Sequence, residues 1–175
     1  VGASRAAVDA KKTSVALRSL RGGVPPELAA TLVPQLDKKR HDGAGGSENG
    51  APRVLIVDDS SSMRAILSTI VTKLGYTVCG QAANGQEAEV LNAKDKPDII
   101  LLDINMPVKT GIEALPGLKT CHPESVVFMM TSVSDPESVQ ACLEAGAAAY
   151  ILKSSTHEEI AQVIKETWEA GKAYD

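Results

Sequence analysis

The chain has 175 residues, a net charge of −4, 43% hydrophobic residues and only 3% aromatic ones. No apolar run approaches the ~20 residues a membrane-spanning helix needs, and nothing in the sequence resembles a signal peptide. The charge is unevenly spread: residues 1–52 carry eight Lys/Arg against five Asp/Glu, whereas the other 123 carry ten against seventeen.

The chain opens on Val1 rather than Met, as expected of a trimmed or engineered product. Residues 1–40 hold two weak helical patterns. Around Ser4 to Leu20, Val8, Val15 and Leu20 fall loosely on one side. Pro25-Pro26-Glu27 opens the second, since Pro suits a first helical turn. Leu28, Leu32, Val33 and Leu36 then form an apolar stripe that Pro34 should kink or shorten. Two short helices cannot enclose a core, which predicts an extension that docks on another surface, pairs two chains into a homodimer, or stays partly disordered. His41 to Pro52 is rich in Gly and polar residues without periodicity. That predicts a flexible linker over 41–52 and a domain over 53–175.

From Arg53 onward the pattern becomes regular. Val54 to Val57 is a buried strand running into Asp58-Asp59, followed by helical periodicity at Met63, Ile66, Leu67, Ile70, Val71 and Leu74, with Gly75 as the stop. Thr77 to Ala82 is a second strand, and Asn84 with Glu87 has capping-box spacing for the next helix. Ile99 to Leu102 runs into Asp103, and a helix is predicted from about Gly111 to Cys121. Val126 to Met130 ends in Thr131, and Asp135-Pro136 starts a helix that stops at Gly146. Ala149 to Leu152 ends in Lys153, and Ser155 and Thr156 with Glu158 and Glu159 cap a last helix with Ile160, Val163, Ile164 and Trp168 inward. Short apolar runs of this kind are strands buried on both faces. Five of them alternating with five helices predict an α/β fold, a doubly wound parallel sheet of order 2-1-3-4-5. Cys79, Cys121 and Cys142 lack metal-ligand spacing and read as reduced, partly buried thiols of a cytoplasmic protein.

In that sheet the residues closing four strands, Asp58-Asp59, Asp103, Thr131 and Lys153, converge on one edge. Taken singly, an Asp-Asp after a strand is usually a helix cap, and a Thr or Lys there a solvated terminus. Their joint occurrence in successive βα units reverses that preference. Three carboxylates in one pocket repel, and a hard divalent cation such as Mg2+ resolves the repulsion. A carboxylate nucleophile with a metal, an ammonium and a hydroxyl makes a site for a transferred phosphoryl group.

The D-D-S at Asp58-Asp59-Ser60, the D-x-N-M-P beginning at Asp103, the M-T-S around Thr131 and the Y-x-x-K ending at Lys153 resemble the receiver domain of bacterial two-component response regulators. The resemblance covers roughly residues 53–172. Because the chain stops just after the fifth helix, it is most similar to single-domain, CheY-like chemotaxis regulators. It implies a flavodoxin-like (βα)5 fold and a phosphorelay switch rather than an enzyme. It implies that Asp103 accepts phosphoryl from a sensor histidine kinase or phosphotransfer protein. It also implies that Asp59, Asp103 and the Asn105 carbonyl hold Mg2+, with Asp58 assisting through water. Lys153 would pair with the phosphoryl group, Thr131 would hydrogen-bond to it, and Tyr150 matches the aromatic switch residue. The surface of the fourth helix, fifth strand and fifth helix would then change for an output partner whose identity is unknown.

Three positions depart from the family pattern. Ser154 stands where a cis Pro usually follows the lysine, Lys109-Thr110-Gly111 replaces an apolar residue and Asp-Gly, and Val133 offers no polar group. Three other readings compete. A haloacid-dehalogenase-type Mg-dependent phosphatase needs a second Asp where Asn105 stands. A flavin binder would find Asp58-Asp59 repelling its phosphate. A receiver acting only as an unphosphorylated binding or oligomerisation module leaves the intact acids without use. Residues 1–52 contain no nucleic-acid-binding motif.

Overall fold

The computed structural model describes residues 50–132 and 136–172. The expected helices within 1–40, residues 41–49 of the expected linker, Val133 and Asp135 lie outside them. The elements run β1 (Arg53–Val57), α1 (Ser61–Lys73), β2 (Thr77–Ala82), α2 (Gly85–Asp95), β3 (Ile99–Asp103), α3 (Gly111–Cys121), β4 (Val126–Thr131), α4 (Pro136–Glu144), β5 (Ala149–Leu152) and α5 (His157–Lys172). The five strands are parallel, in the order β2-β1-β3-β4-β5.

Apart from the edge strand β2 and the polar residues at strand ends, the strands are continuously apolar because alternate residues feed two separate cores. Leu55, Val57, Ile100, Leu102, Val127, Met129 and Tyr150 pack against Ala88 of α2, Ala114, Leu115 and Leu118 of α3, and Val139, Cys142 and Leu143 of α4. Their neighbours Val54, Ile56, Ile99, Leu101, Phe128, Met130 and Ile151 face Leu67, Ile70 and Val71 of α1 and Ile160, Val163, Ile164 and Trp168 of α5. Helices therefore cover both faces. The edge strand β2 is less apolar and mostly half-exposed, with a register shift against β1 between Val54 and Leu55.

Local chemistry sets the helix ends. Ser60 caps α1, and Gly75 follows the Leu74 C-cap with φ 78°, a conformation that suits a residue without Cβ. Asn84 accepts from the Glu87 N–H and caps α2. For α3 the cap is Thr110: its hydroxyl accepts from the Glu113 N–H at 3.3 Å, while Glu113 accepts from the Thr110 N–H at 2.9 Å. At α5 the capping pair is Thr156 with Glu159, not Ser155 with Glu158. Pro116 lies inside α3, where it removes one backbone bond; burial of Ala114, Leu115 and Leu118 outweighs that loss. Of the three free thiols only Cys142 is buried; Cys79 is half-buried and Cys121 exposed.

Candidate functional site

The register of the sheet brings the strand-end residues together. Val57 pairs with Leu102, so Asp58 and Asp103, one step further on, lie side by side. Asp103 pairs with Met130, just before Thr131, and Thr131 pairs with Leu152, just before Lys153. Strand parity adds a second constraint. Asp58, Asp103 and Lys153 continue the alternation of the residues that face α1 and α5, whereas Thr131 continues the opposite set. The first three should therefore meet directly, and they do.

Lys153 Nζ lies 2.6 Å from Asp58 Oδ2 and 2.9 Å from Asp103 Oδ1. The two carboxylates are removed from water, Asp58 wholly buried and Asp103 2% exposed, while Lys153 is partly buried. Burial pushes the Asp103 carboxyl above its ordinary pKa; the Lys153 ammonium opposes the rise and the Asp58 carboxylate adds to it. Burial alone would lower the Lys153 pKa, but its bonds to Asp58 and Asp103 outweigh that and raise it. Lys153 is thus a charged ammonium shared by two buried carboxylates. Thr131 is buried at the end of β4, and its carbonyl accepts from the Lys153 N–H at 2.7 Å, which ties the two strand ends together.

Asp59 stands differently. It is exposed, yet one carboxylate oxygen each from Asp58, Asp59 and Asp103 lie within 4.8 Å of one another. Asp58 Oδ2 is buried with no aligned hydrogen-bond donor, so the nearby ammonium is all that balances it. Three hard oxygen donors gathered beside a single ammonium fit a Mg2+ ion. Asn105 is exposed, and its N–H donates to Asp103 Oδ1 at 3.4 Å, a long bond that bends the loop back over the acid. Gly111 is required here: a Cβ on it would lie 2.0 Å from the Asp103 carbonyl oxygen.

Tyr150, at the position that matches the aromatic switch residue, is 2% exposed and packed in the core, so its ring lies inside. Two of the three departures from the family pattern are also accommodated. Thr110 caps α3 in place of an acid, Lys109 Nζ pairs with Glu89 Oε1 at 2.7 Å, and no described peptide bond is cis, including the one after Lys153. Two residues the sequence reading passed over stand beside the site. Arg64 Nη1 donates to the Asp58 carbonyl at 2.7 Å, and Val108, in the loop after Asp103, has φ 68°. The signal for Arg64 was a cation near the N-terminus of a helix, where the macrodipole disfavours it. No signal in the sequence marked Val108.

Residues 54–165 match the response regulator receiver domain. The chain is 35% identical over 114 residues to the chemotaxis protein CheY of Thermotoga maritima, covering 65% of this chain and 95% of that protein. It is 36% identical over 112 residues to protein CcdB of Bacillus subtilis, covering 64% and 93%. Among solved structures, CheY in the CheX-CheY-BeF3-Mg2+ complex from Borrelia burgdorferi superposes with a TM-score of 0.66 at 30% identity, covering 71% of this chain and 96% of that one. A CheY-like receiver domain from Methanospirillum hungatei gives 0.67 at 28% identity, covering 71% and 99%. No helix among the described residues is long and apolar enough to cross a membrane. Since the match runs from β1 into α5 and spans every strand that supplies the acidic edge, the chain belongs to the response regulator receiver domain family, whose members are signalling switches rather than classical enzymes.

Proposed function

We propose that this chain is a phosphorylation-activated switch of a cytoplasmic two-component pathway, possessing Asp103 as phosphoacceptor and Mg2+ as cofactor. The donor is a sensor histidine kinase or a phosphotransfer protein, and the output partner reads the surface of α4, β5 and α5. A chemotaxis pathway is the one proposed, on the strength of the CheY relatives. The observation that carries the reading is a buried Asp103 at the end of β3, 2.9 Å from Lys153 and clustered with Asp58 and Asp59.

An Asp103 carboxylate oxygen attacks phosphorus while the P–N bond of the donor's phosphoimidazole breaks. The electron pair of that bond stays on the ring nitrogen, and the product on Asp103 is an acyl phosphate. Mg2+, when held by Asp59, Asp103 and the Asn105 carbonyl with Asp58 through water, supplies charge neutralisation at the phosphoryl oxygens. That the Borrelia CheY was solved with BeF3 and Mg2+ supports the same composition here. Lys153 can turn to a phosphoryl oxygen while keeping Asp58, so its charge stays paired throughout. Thr131 would donate its hydroxyl to the phosphoryl group. Its carbonyl bond to the Lys153 N–H would carry any displacement into the turn between β5 and α5. Residues 1–40 as an extension, with pairing of two copies through them, belong to the same proposal; solution mass with and without that segment tests it.

Incubating the protein with Mg2+ and acetyl phosphate, then mapping acid-labile phosphate, should label Asp103 alone. If Asp103→Asn takes up the same amount, the assignment is wrong.

A further inference from the structure

We propose that Arg64 is a positioning residue for the cation site: it holds the Asp58-Asp59 turn in the shape that gathers the carboxylates. The inference rests on the proposed Mg2+ site and extends it to a side chain outside the ligand set.

Arg64 sits about one turn into α1 and is half-buried. A cation there meets the positive end of the helix dipole, so the position is unfavourable unless something offsets it. The offset is the turn itself. Arg64 Nη1 donates to the Asp58 carbonyl at 2.7 Å and reaches the Asp59 carbonyl at 3.4 Å. One guanidinium nitrogen thereby takes up the carbonyls of both acids.

The two acids differ in what else holds them. Asp58 has other restraints: its N–H donates to the Ala82 carbonyl at 3.1 Å, its Oδ1 accepts from the Ser60 N–H at 2.9 Å, and its Oδ2 meets Lys153. Asp59 is exposed, and among the described residues no hydrogen bond or ion pair holds its carboxylate. The direction of that carboxylate therefore rests on the backbone of the turn, whose Asp59 carbonyl Arg64 restrains. Loosening the turn lets mutual repulsion swing the exposed Asp59 carboxylate away from the buried pair.

The test is Mg2+ binding by calorimetry to the full chain and its Arg64→Met and Arg64→Lys variants, with metal-free melting measured alongside. Arg64→Met should bind Mg2+ about tenfold more weakly, and Arg64→Lys should recover part of the loss. In acetyl phosphate labelling, the defect should lie in the Mg2+ concentration for half-maximal rate more than in the saturated rate. Charge alone predicts the opposite sign, because removing a cation beside a cation site tightens Mg2+. Unchanged or tighter binding by Arg64→Met overturns the proposal, including the case where only metal-free melting falls. Should Arg64→Met fail to fold, Arg64→Lys and Arg64→Gln carry the same comparison, and parental affinity in both overturns it. Absence of Mg2+ binding by the parent would overturn the metal site itself, a result distinct from a parent that binds and variants that match it.

Discussion

Val108 is β-branched and 78% exposed, yet its φ is 68°. The Lys109 N–H donates to the Pro107 carbonyl at 2.8 Å and closes a three-residue turn around it. A left-handed L-residue costs about 1–2 kcal/mol, and a side chain so exposed recovers little by burial. Val108→Asn should therefore raise unfolding stability by about 1 kcal/mol, because Asn tolerates this conformation; an unchanged urea midpoint would mean the strain is absent. At Asp103 the cost is electrostatic. Its pKa is raised, chiefly by burial, so the carboxylate is disfavoured in the folded protein. A raised group contributes stability that is present below its unfolded pKa and is lost as pH rises through the folded one. Metal-free Asp103→Asn should consequently be more stable than the parent near pH 7, with the gain shrinking as pH falls toward about 4. Urea unfolding at both pH values without divalent cations checks this, and equal stability near neutrality would count against it.

At the scale of elements, α2 and α3 approach closely because Gly85 has no side chain. A Cβ there would lie 2.8 Å from Ala114 Cβ and 2.8 Å from the Lys109 carbonyl oxygen. Neither can move without shifting α3 or the loop from Asp103, so Gly85→Ala should cost about 1–3 kcal/mol in urea unfolding. A cost within error of zero would show that α2 slides freely. The nearby Lys109–Glu89 pair is partly exposed and contributes less, up to about 1 kcal/mol. At the other end of α3, His122 is the C-cap and its carbonyl accepts from Ser125 Oγ at 2.9 Å. Burial lowers its pKa more than Glu124 and Asp98 raise it, so the neutral ring is favoured in the fold. That stability is present above the unfolded value and is lost as pH falls through the folded one. His122→Gln should flatten the stability profile between about pH 7 and pH 5, relative to the parent; identical slopes would refute it.

For the molecule as a whole, the proposed metal links site to stability. A ligand that binds only the folded state stabilises it, by about 2.7 kcal/mol at a hundredfold excess over its dissociation constant. Mg2+ should raise the melting temperature of the parent and leave Asp59→Asn unmoved. Because Asp59 is exposed, its replacement should change the metal-free stability by no more than about 0.5 kcal/mol. A variant that still responds to Mg2+ would remove Asp59 from the ligand set.

The five strands, four of them continuous apolar runs, their order and the convergence of Asp58, Asp59, Asp103, Thr131 and Lys153 on one edge were legible in the sequence. They depend on period and order alone: doubly buried strands carry continuous apolar runs, and right-handed crossovers leave few arrangements. Three things needed the tertiary structure: the sharing of Lys153 between Asp58 and Asp103, the burial of Asp58 beside an exposed Asp59, and the inward Tyr150. So did the backbone at Val108 and the reach of Arg64 to two carbonyls. Spacing along a chain says which end of which strand a residue occupies. Which charges touch is decided by the lateral register and side-chain parity of strands that are far apart in sequence.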